Sequence, residues 1–237
     1  MSDKQIRKLA SGEILYEDNH IIIVNKRSSD IVQGDKTGDV PLSDIVKLYI
    51  KEKYKKPGDV FLGVVHRIDR PVSGAVIFAR TSKALARLNN MIREREIKKT
   101  YWAITSDIPD PHQGKLTHYL VKNEKKNISH ASEKPGPGRL EAELIYTYLS
   151  SSDRYHLLNV ELITGRHHQI RVQLAAVGCP IKGDLKYGAK RSNKNASISL
   201  HARSISFIHP VKKEMLEVIA PVPDDPHWKY FEAQSSA

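Results

Sequence analysis

Two short segments concentrate the side chains that could do chemistry. His66-Arg67-Ile68-Asp69-Arg70-Pro71 sets a single carboxylate between two guanidinium groups. Nearby cations favour the ionised form of Asp69, and a carboxylate kept charged in a partly dry site can serve as nucleophile or base. The competing reading is structural: Asp69 pairs with an arginine or caps the turn before Pro71. Thr164-Gly165-Arg166-His167-His168-Gln169-Ile170-Arg171 places cations and amide donors at the start of a helix whose remaining residues are apolar, and such a start attracts anions. On that helix His167 and Arg171 stand four apart and His168 and Arg171 three apart, so two of these side chains can share a face. Here the competing reading is a solvated polar end on a core helix. Tyr101, after Lys98-Lys99-Thr100, is a strand aromatic that packs in a core or lies against a base.

Other chemistries lack their residues. There is no His-Glu-x-x-His spacing, Cys179 stands alone, and adjacent histidines on a helix point apart, so no catalytic metal is expected. Phosphate-loop, Gly-x-Ser-x-Gly and dinucleotide glycine signatures are absent, and Ser73-Gly74 lacks the first glycine of a nucleophile elbow. The lone cysteine allows no disulfide within the chain and fits a reducing compartment. Lysine plus arginine number 38 against 27 acidic residues, a formal charge of +11 that points to a polyanionic partner. The basic loops with Lys122, Lys125, Lys126, Lys134 and Arg139, and with Lys186, Lys190, Arg191 and Lys194, suit phosphate contacts, although a lysine run is otherwise only a solvated loop.

These residues must be positioned by 237 residues with 40% apolar content, enough for one large globular unit or two small ones. Ile21–Val24 and Ala75–Ala79 read as buried strands, and Phe61–Val65 has strand character, so Asp69 falls in a loop at strand ends. Residues 42–55 are predicted as an amphipathic helix ended by Pro57-Gly58, and a second helix starts at Ser82 as N-cap with Leu85, Leu88, Met91 and Ile92 on one face. Tyr101–Ile104 reads as a strand. The stretch 122–139, closing on Pro135-Gly136-Pro137-Gly138, reads as an exposed mobile loop. A strand pair over 140–149 and 155–163 turns at Ser150–Asp153; a helix over 167–177 is closed by Gly178 and Pro180. Short strands follow at 198–200, 205–208 and 216–219. Mixed strand and helix order gives an α+β class. The domain expectation is a tail over 1–13, one catalytic domain over 14–223 and a tail over 224–237. The N-terminus has no signal-peptide core and no stretch approaches the roughly 18 to 20 apolar residues of a membrane span, so a cytoplasmic, membrane-free protein is expected.

At His66-Arg67-Ile68-Asp69-Arg70-Pro71-Val72-Ser73-Gly74 the chain resembles the RluA family of RNA pseudouridine synthases, whose pattern there is His-Arg-Leu-Asp-x-x-Thr-Ser-Gly. Ile68 and Val72 are the two departures, and every charged position is intact. Lys99-Thr100-Tyr101 with Ala103 resembles the family's Lys-x-Tyr-x-Ala. Thr164 to Arg171 resembles its third motif, and Pro180-Ile181, Gly183-Asp184 and Tyr187-Gly188 the segment after it. The likeness runs from about Ile14 to Pro221, ending with Leu200-His201-Ala202, His209-Pro210 and Ala220-Pro221 in the expected order. Lys26-Arg27-Ser28 departs from the usual Lys-Pro, which bears on the shape of that early loop. Many relatives carry a small basic RNA-binding domain first; residues 1–13 are too few to form one, so substrate capture is expected to rest on the catalytic domain.

The resemblance implies an elongated mixed, largely antiparallel β-sheet flanked by helices and loops, with the catalytic cleft across its middle. It also implies roles. Asp69 is the catalytic carboxylate, Tyr101 stacks on uracil, and Arg171 pairs with Asp69. Arg67 fills the space left when the nucleotide flips out, and His66, Arg166, His168 and Gln169 line the substrate site. The implied reaction isomerises uridine to pseudouridine in structured RNA, ribosomal (large subunit) or transfer RNA, with no cofactor. No obligatory protein partner is implied, and a monomer is expected. Base flipping costs a few kcal/mol, which a filling arginine and an aromatic platform offset. Two further readings are an RNA-binding assembly protein or chaperone without chemistry, and a ribonuclease using His66, His167 or His168.

Overall fold

The computed structural model describes residues 6–235. In chain order its elements are β1 (Ile14–Glu17), β2 (Ile21–Lys26), α1 (Leu42–Lys53), β3 (Gly63–Val64), β4 (Ser73–Ala79), α2 (Ser82–Arg93), β5 (Lys98–Thr105), β6 (Gln113–Asn123), β7 (Ile128–Ser132) and β8 (Leu140–Ser151). Then come β9 (His156–Leu162), α3 (Gln169–Ala176), β10 (Leu200–Ile208), β11 (Met215–Ile219) and α4 (Pro226–Ser235). The class is α+β, and the strand pairings described below are antiparallel. The chain forms two compact units: residues 1–97 with 204–221, and residues 98–203 with 222–237. The sequence reading had one domain over 14–223.

In the first unit every residue of β2 from Ile21 to Lys26 pairs with β4 from Ala79 to Gly74. Both strands carry a continuous apolar run, Ile21–Val24 and Ala75–Ala79, because both of their faces are covered there. Ile21, Ile23, Ala75 and Ile77 pack with Ala84, Leu88 and Met91 of α2 and with Ile205, Phe207 and Val218. On the opposite face Ile22, Val24, Val76 and Phe78 pack with Leu42, Ile45, Val46 and Ile50 of α1. Gly63 lets α2 come close, since a Cβ there would lie 2.7 Å from a Leu85 methyl. The cap of α2 is Thr81 and not the expected Ser82: Thr81 has extended backbone, and its hydroxyl accepts the Ala84 N–H at 3.1 Å. Such a cap contributes about 1 kcal/mol.

In the second unit β5, β9, β8, β6 and β7 pair in that order, each antiparallel to the next. The stretch 122–139, expected as a mobile loop, instead completes the β6–β7 hairpin, with Asn123 opposite Ile128. Ser129 in β7 is buried, and its N–H donates to the Tyr187 hydroxyl at 2.7 Å. Ile-Ser-His-Ala-Ser carries little apolar signal, so only partners elsewhere in the chain define this strand. The expected strand 205–208 and the last residue of 198–200 fall within one strand, β10. Residues 224–237, expected as a tail, hold α4, whose Trp228 and Phe231 pack on Trp102, Ile104 and Leu157. Only Trp228 and Phe231 of its ten residues are buried, too few to give α4 a periodic signature.

Side chains alternate along β5, so Tyr101 points away from the face where Trp102 and Ile104 meet α4. Tyr101 stands opposite Val160, and Val160 opposite Tyr146. Ala142, on the same face of β8 as Tyr146, packs against Val172 of α3. Tyr101 and α3 therefore occupy one face of this unit's sheet. Lys99, two residues from Tyr101, shares it.

Candidate active site

Asp69 lies, half-buried, in the loop between β3 and β4 of the first unit, where the sequence placed it. That loop is fastened from several sides. His66 Nε2 accepts the backbone N–H of Ile77 in β4 at 3.1 Å. The Val72 N–H donates to the Asp69 carbonyl at 3.1 Å, closing the turn. The Arg70 carbonyl accepts from the Ser29 N–H at 2.9 Å and from Lys26 Nζ at 3.1 Å. The Arg70 guanidinium reaches Asp39 at 2.6 Å and the Thr37 hydroxyl at 3.0 Å.

Lys26 is the unforeseen member. It is 1% exposed, and its ammonium also donates to the carbonyls of Arg27 at 2.9 Å and Asp30 at 2.7 Å. Burial pulls its pKa down to about 7, against the opposing pull of Asp30 and Asp69, so the charge of Asp69 is felt at this amine. One buried lysine thus ties the loop after β2 to the peptide that follows the catalytic candidate. The Lys26-Arg27-Ser28 segment signalled a loop, but nothing in it showed that the amine turns inward. Arg67 is exposed, as a side chain acting on a nucleic acid must be.

In the second unit, residues 164–168 precede α3 instead of opening it, because α3 starts at Gln169. The sequence reading began this helix at His167 and had the two histidines diverge; the rings of His167 and His168 in fact stack, with centroids 3.8 Å apart. His168 makes this possible by taking the left-handed conformation at the N-cap, φ 54°. His168 Nδ1 lies 2.8 Å from the Tyr187 hydroxyl, and His167 Nδ1 lies 2.9 Å from the Ser129 hydroxyl. Gln169, expected to touch substrate, is buried. Its Oε1 accepts from the Thr164 hydroxyl at 2.8 Å and the Arg166 N–H at 2.9 Å, and its Nε2 donates to the Glu143 carbonyl at 2.9 Å. It holds the loop's shape. Arg166 is exposed and anchored through Nε to the Glu141 carbonyl at 2.9 Å.

Arg171 is 4% exposed and forms a two-pronged ion pair with the buried Asp184: Nε to Oδ2 at 2.7 Å and one Nη to Oδ1 at 2.8 Å. Its guanidinium also sits 5.1 Å from the centre of the Tyr187 ring. Asp184 is a partner that spacing alone did not supply, although Gly183-Asp184 was among the segments carrying the resemblance. Tyr101, 6% exposed, lies on the same sheet face as α3. Among the described residues no cluster of three histidine, cysteine, aspartate or glutamate side chains is arranged to hold a metal ion.

The fold is that of RNA pseudouridine synthases. The human protein titled RNA Pseudouridylate Synthase Domain Containing 4 superposes with a TM-score of 0.76, covering 94% of this chain and 92% of its own at 23% identity. Residues 20–176 match the family model described as RNA pseudouridylate synthase. A protein named ribosomal large subunit pseudouridine synthase C, from Buchnera aphidicola subsp. Schizaphis graminum (strain Sg), is 31% identical over 232 residues, which cover 92% of this chain and 69% of that one. The Bacillus subtilis (strain 168) protein named uncharacterized RNA pseudouridine synthase YhcT is 32% identical over 220 residues, 90% of this chain and 69% of its own. The chain belongs to the RNA pseudouridylate synthase family, as its motif resemblance implied, and its class of activity is the isomerisation of uridine to pseudouridine in RNA.

Proposed function

We propose that this protein isomerises uridines of ribosomal RNA, in the large subunit, with Asp69 as the catalytic carboxylate. In the reaction the bond from ribose C1′ to uracil N1 breaks, the base rotates, and C1′ bonds to C5. The proton lost from C5 is matched by one gained at N1. Product and substrate share every atom, so the chemistry calls for no oxidant, reductant or group donor. Asp69 either attacks the nucleotide or removes a sugar proton to start the exchange.

The observation that carries the assignment is the restraint on the Asp69 loop. A buried ammonium, a histidine ring and a backbone N–H all fix the peptides around one carboxylate, the preorganisation that an attacking or proton-accepting group requires. We assign Tyr101 as the platform for the uracil ring, and Arg171, oriented by Asp184, as the cation of the site. Arg67 and Arg166, both exposed, are assigned to RNA contact. His66, His168 and Gln169 act as braces, since their bonds to Ile77, Tyr187 and Glu143 are internal. For His66 this also disfavours the ribonuclease reading, because the nitrogen that accepts from Ile77 is not available as a base. We further assign residues 14–223 to one catalytic domain, since the family match draws on both compact units.

Asp69→Asn and Asp69→Ala are expected to abolish pseudouridine formation, scored by carbodiimide mapping of large-subunit rRNA, while RNA affinity stays within a few fold. Phosphate contacts set affinity, and Asp69 makes none. Normal turnover by either variant overturns the assignment.

A further inference from the structure

Three cations of this protein are withdrawn from water beside the loops discussed above, and two have partners: Lys26 has carbonyls and Arg171 has Asp184. The third, Lys99, is half-buried in β5, and no hydrogen bond or ion pair reaches its amine among the described residues. Burial lowers its pKa. A cation held in this way costs folding free energy unless a ligand supplies the anion.

The surroundings indicate which anion. Lys99 shares a sheet face with Tyr101, the proposed base platform, one pleat repeat along β5. Its Nζ lies 3.8 Å from where a Cβ on Gly165 would stand. Gly165 is exposed and presents no side chain there, so the amine is approachable over bare backbone. The next residue, Arg166, is exposed and oriented by its bond to the Glu141 carbonyl. A desolvated amine beside a side-chain-free backbone segment forms a seat for a tetrahedral, singly charged oxyanion on the sheet face that carries Tyr101. In an RNA substrate that oxyanion is a backbone phosphodiester.

We propose that Lys99 is a substrate-binding residue that receives a phosphodiester of the RNA strand adjoining the base stacked on Tyr101. The proposal rests on the RNA-isomerase reading and adds to it a phosphate contact built into the second unit. Before RNA binds, the amine is an electrostatic debit to the fold; once bound, it is neutralised in a site with little competing water.

The test is Lys99→Met, which keeps the apolar stem and removes the charge, with Lys99→Arg beside it. Wild type and variants are assayed on large-subunit rRNA transcribed in vitro, for binding across a salt series and for pseudouridine formation. Lys99→Met is expected to make the plot of log affinity against log salt shallower by about 0.7 to 0.9, the release of one phosphate contact. It should lower kcat/KM about tenfold, chiefly through KM, with thermal stability unchanged or raised. Lys99→Arg should recover most of the loss. An unchanged salt slope in Lys99→Met, or a loss of activity that merely follows a loss of stability, overturns the proposal. If the wild type forms no pseudouridine in any RNA, the function reading fails instead, and the salt slope still decides whether Lys99 grips phosphate.

Discussion

Lys26 in the first unit and Arg171 in the second are both cations excluded from water, and they are satisfied by opposite means. Lys26 spends its ammonium on backbone carbonyls of Arg27, Asp30 and Arg70, so its charge is used to fix chain geometry next to Asp69. Arg171 commits one edge of its guanidinium to the carboxylate of Asp184, so that edge is matched and its planar group is aimed. A point charge with three rotatable donors suits the stapling of irregular backbone, whereas a rigid fork suits a matched carboxylate. Neither residue could take the other's place.

Removing one partner of the ion pair should have the largest effect. Asp184→Ala removes the two-pronged carboxylate partner of a buried guanidinium, and a stability loss of about 3 to 5 kcal/mol is expected in chemical denaturation. The double variant Asp184→Leu with Arg171→Met should recover much of that stability without recovering turnover. A loss under about 1 kcal/mol for Asp184→Ala would break the contrast with Lys26.

Lys26→Met comes next. It removes a donor from three carbonyls, of which that of Arg70 keeps the Ser29 N–H, and should cost about 2 to 3 kcal/mol. Because the Arg70 carbonyl adjoins Asp69, kcat should fall more than RNA affinity does. Equal losses in the two would show that Lys26 supports the fold without positioning the loop.

The smallest effect probes an anion held by backbone, the reverse of Lys26. Burial pushes the Asp18 carboxyl up, but N–H donors of Ile21 and His20, with Lys212 and Tyr16, outweigh it and bring the pKa down to about 2. A depressed carboxylate adds stability that is present above its unfolded value and lost as pH falls through the folded one. The wild type should therefore exceed Asp18→Asn by about 2 kcal/mol at pH 7, with the difference vanishing between pH ~4 and ~2 in thermal melts. A difference independent of pH would mean that Asp18 acts through packing.

Legibility tracked how local the cause was. The runs Ile21–Val24 and Ala75–Ala79 announced buried strands because both faces of each are covered, and hydrophobicity alone reports that. The β6–β7 hairpin and α4 stayed hidden because distant residues complete them: the Tyr187 hydroxyl on Ser129, and Trp102 and Leu157 under Trp228. The site behaved similarly. The spacing around Asp69 was readable, since that segment carries its own pattern, but Lys26 looked like one surface lysine among many.

Residue types and their order suffice for the chemical inventory: one carboxylate amid arginines, an aromatic on a strand, a polar turn ahead of a core helix, and an excess of positive charge for a polyanion. Folding settles which cation meets which acceptor and, among the described residues, which meets none. That choice separates Lys26, Arg171 and Lys99, residues whose charge is equal in the sequence. The physical reason is that the worth of a charge depends on how much water it keeps and what replaces the rest, and both are properties of the folded surroundings.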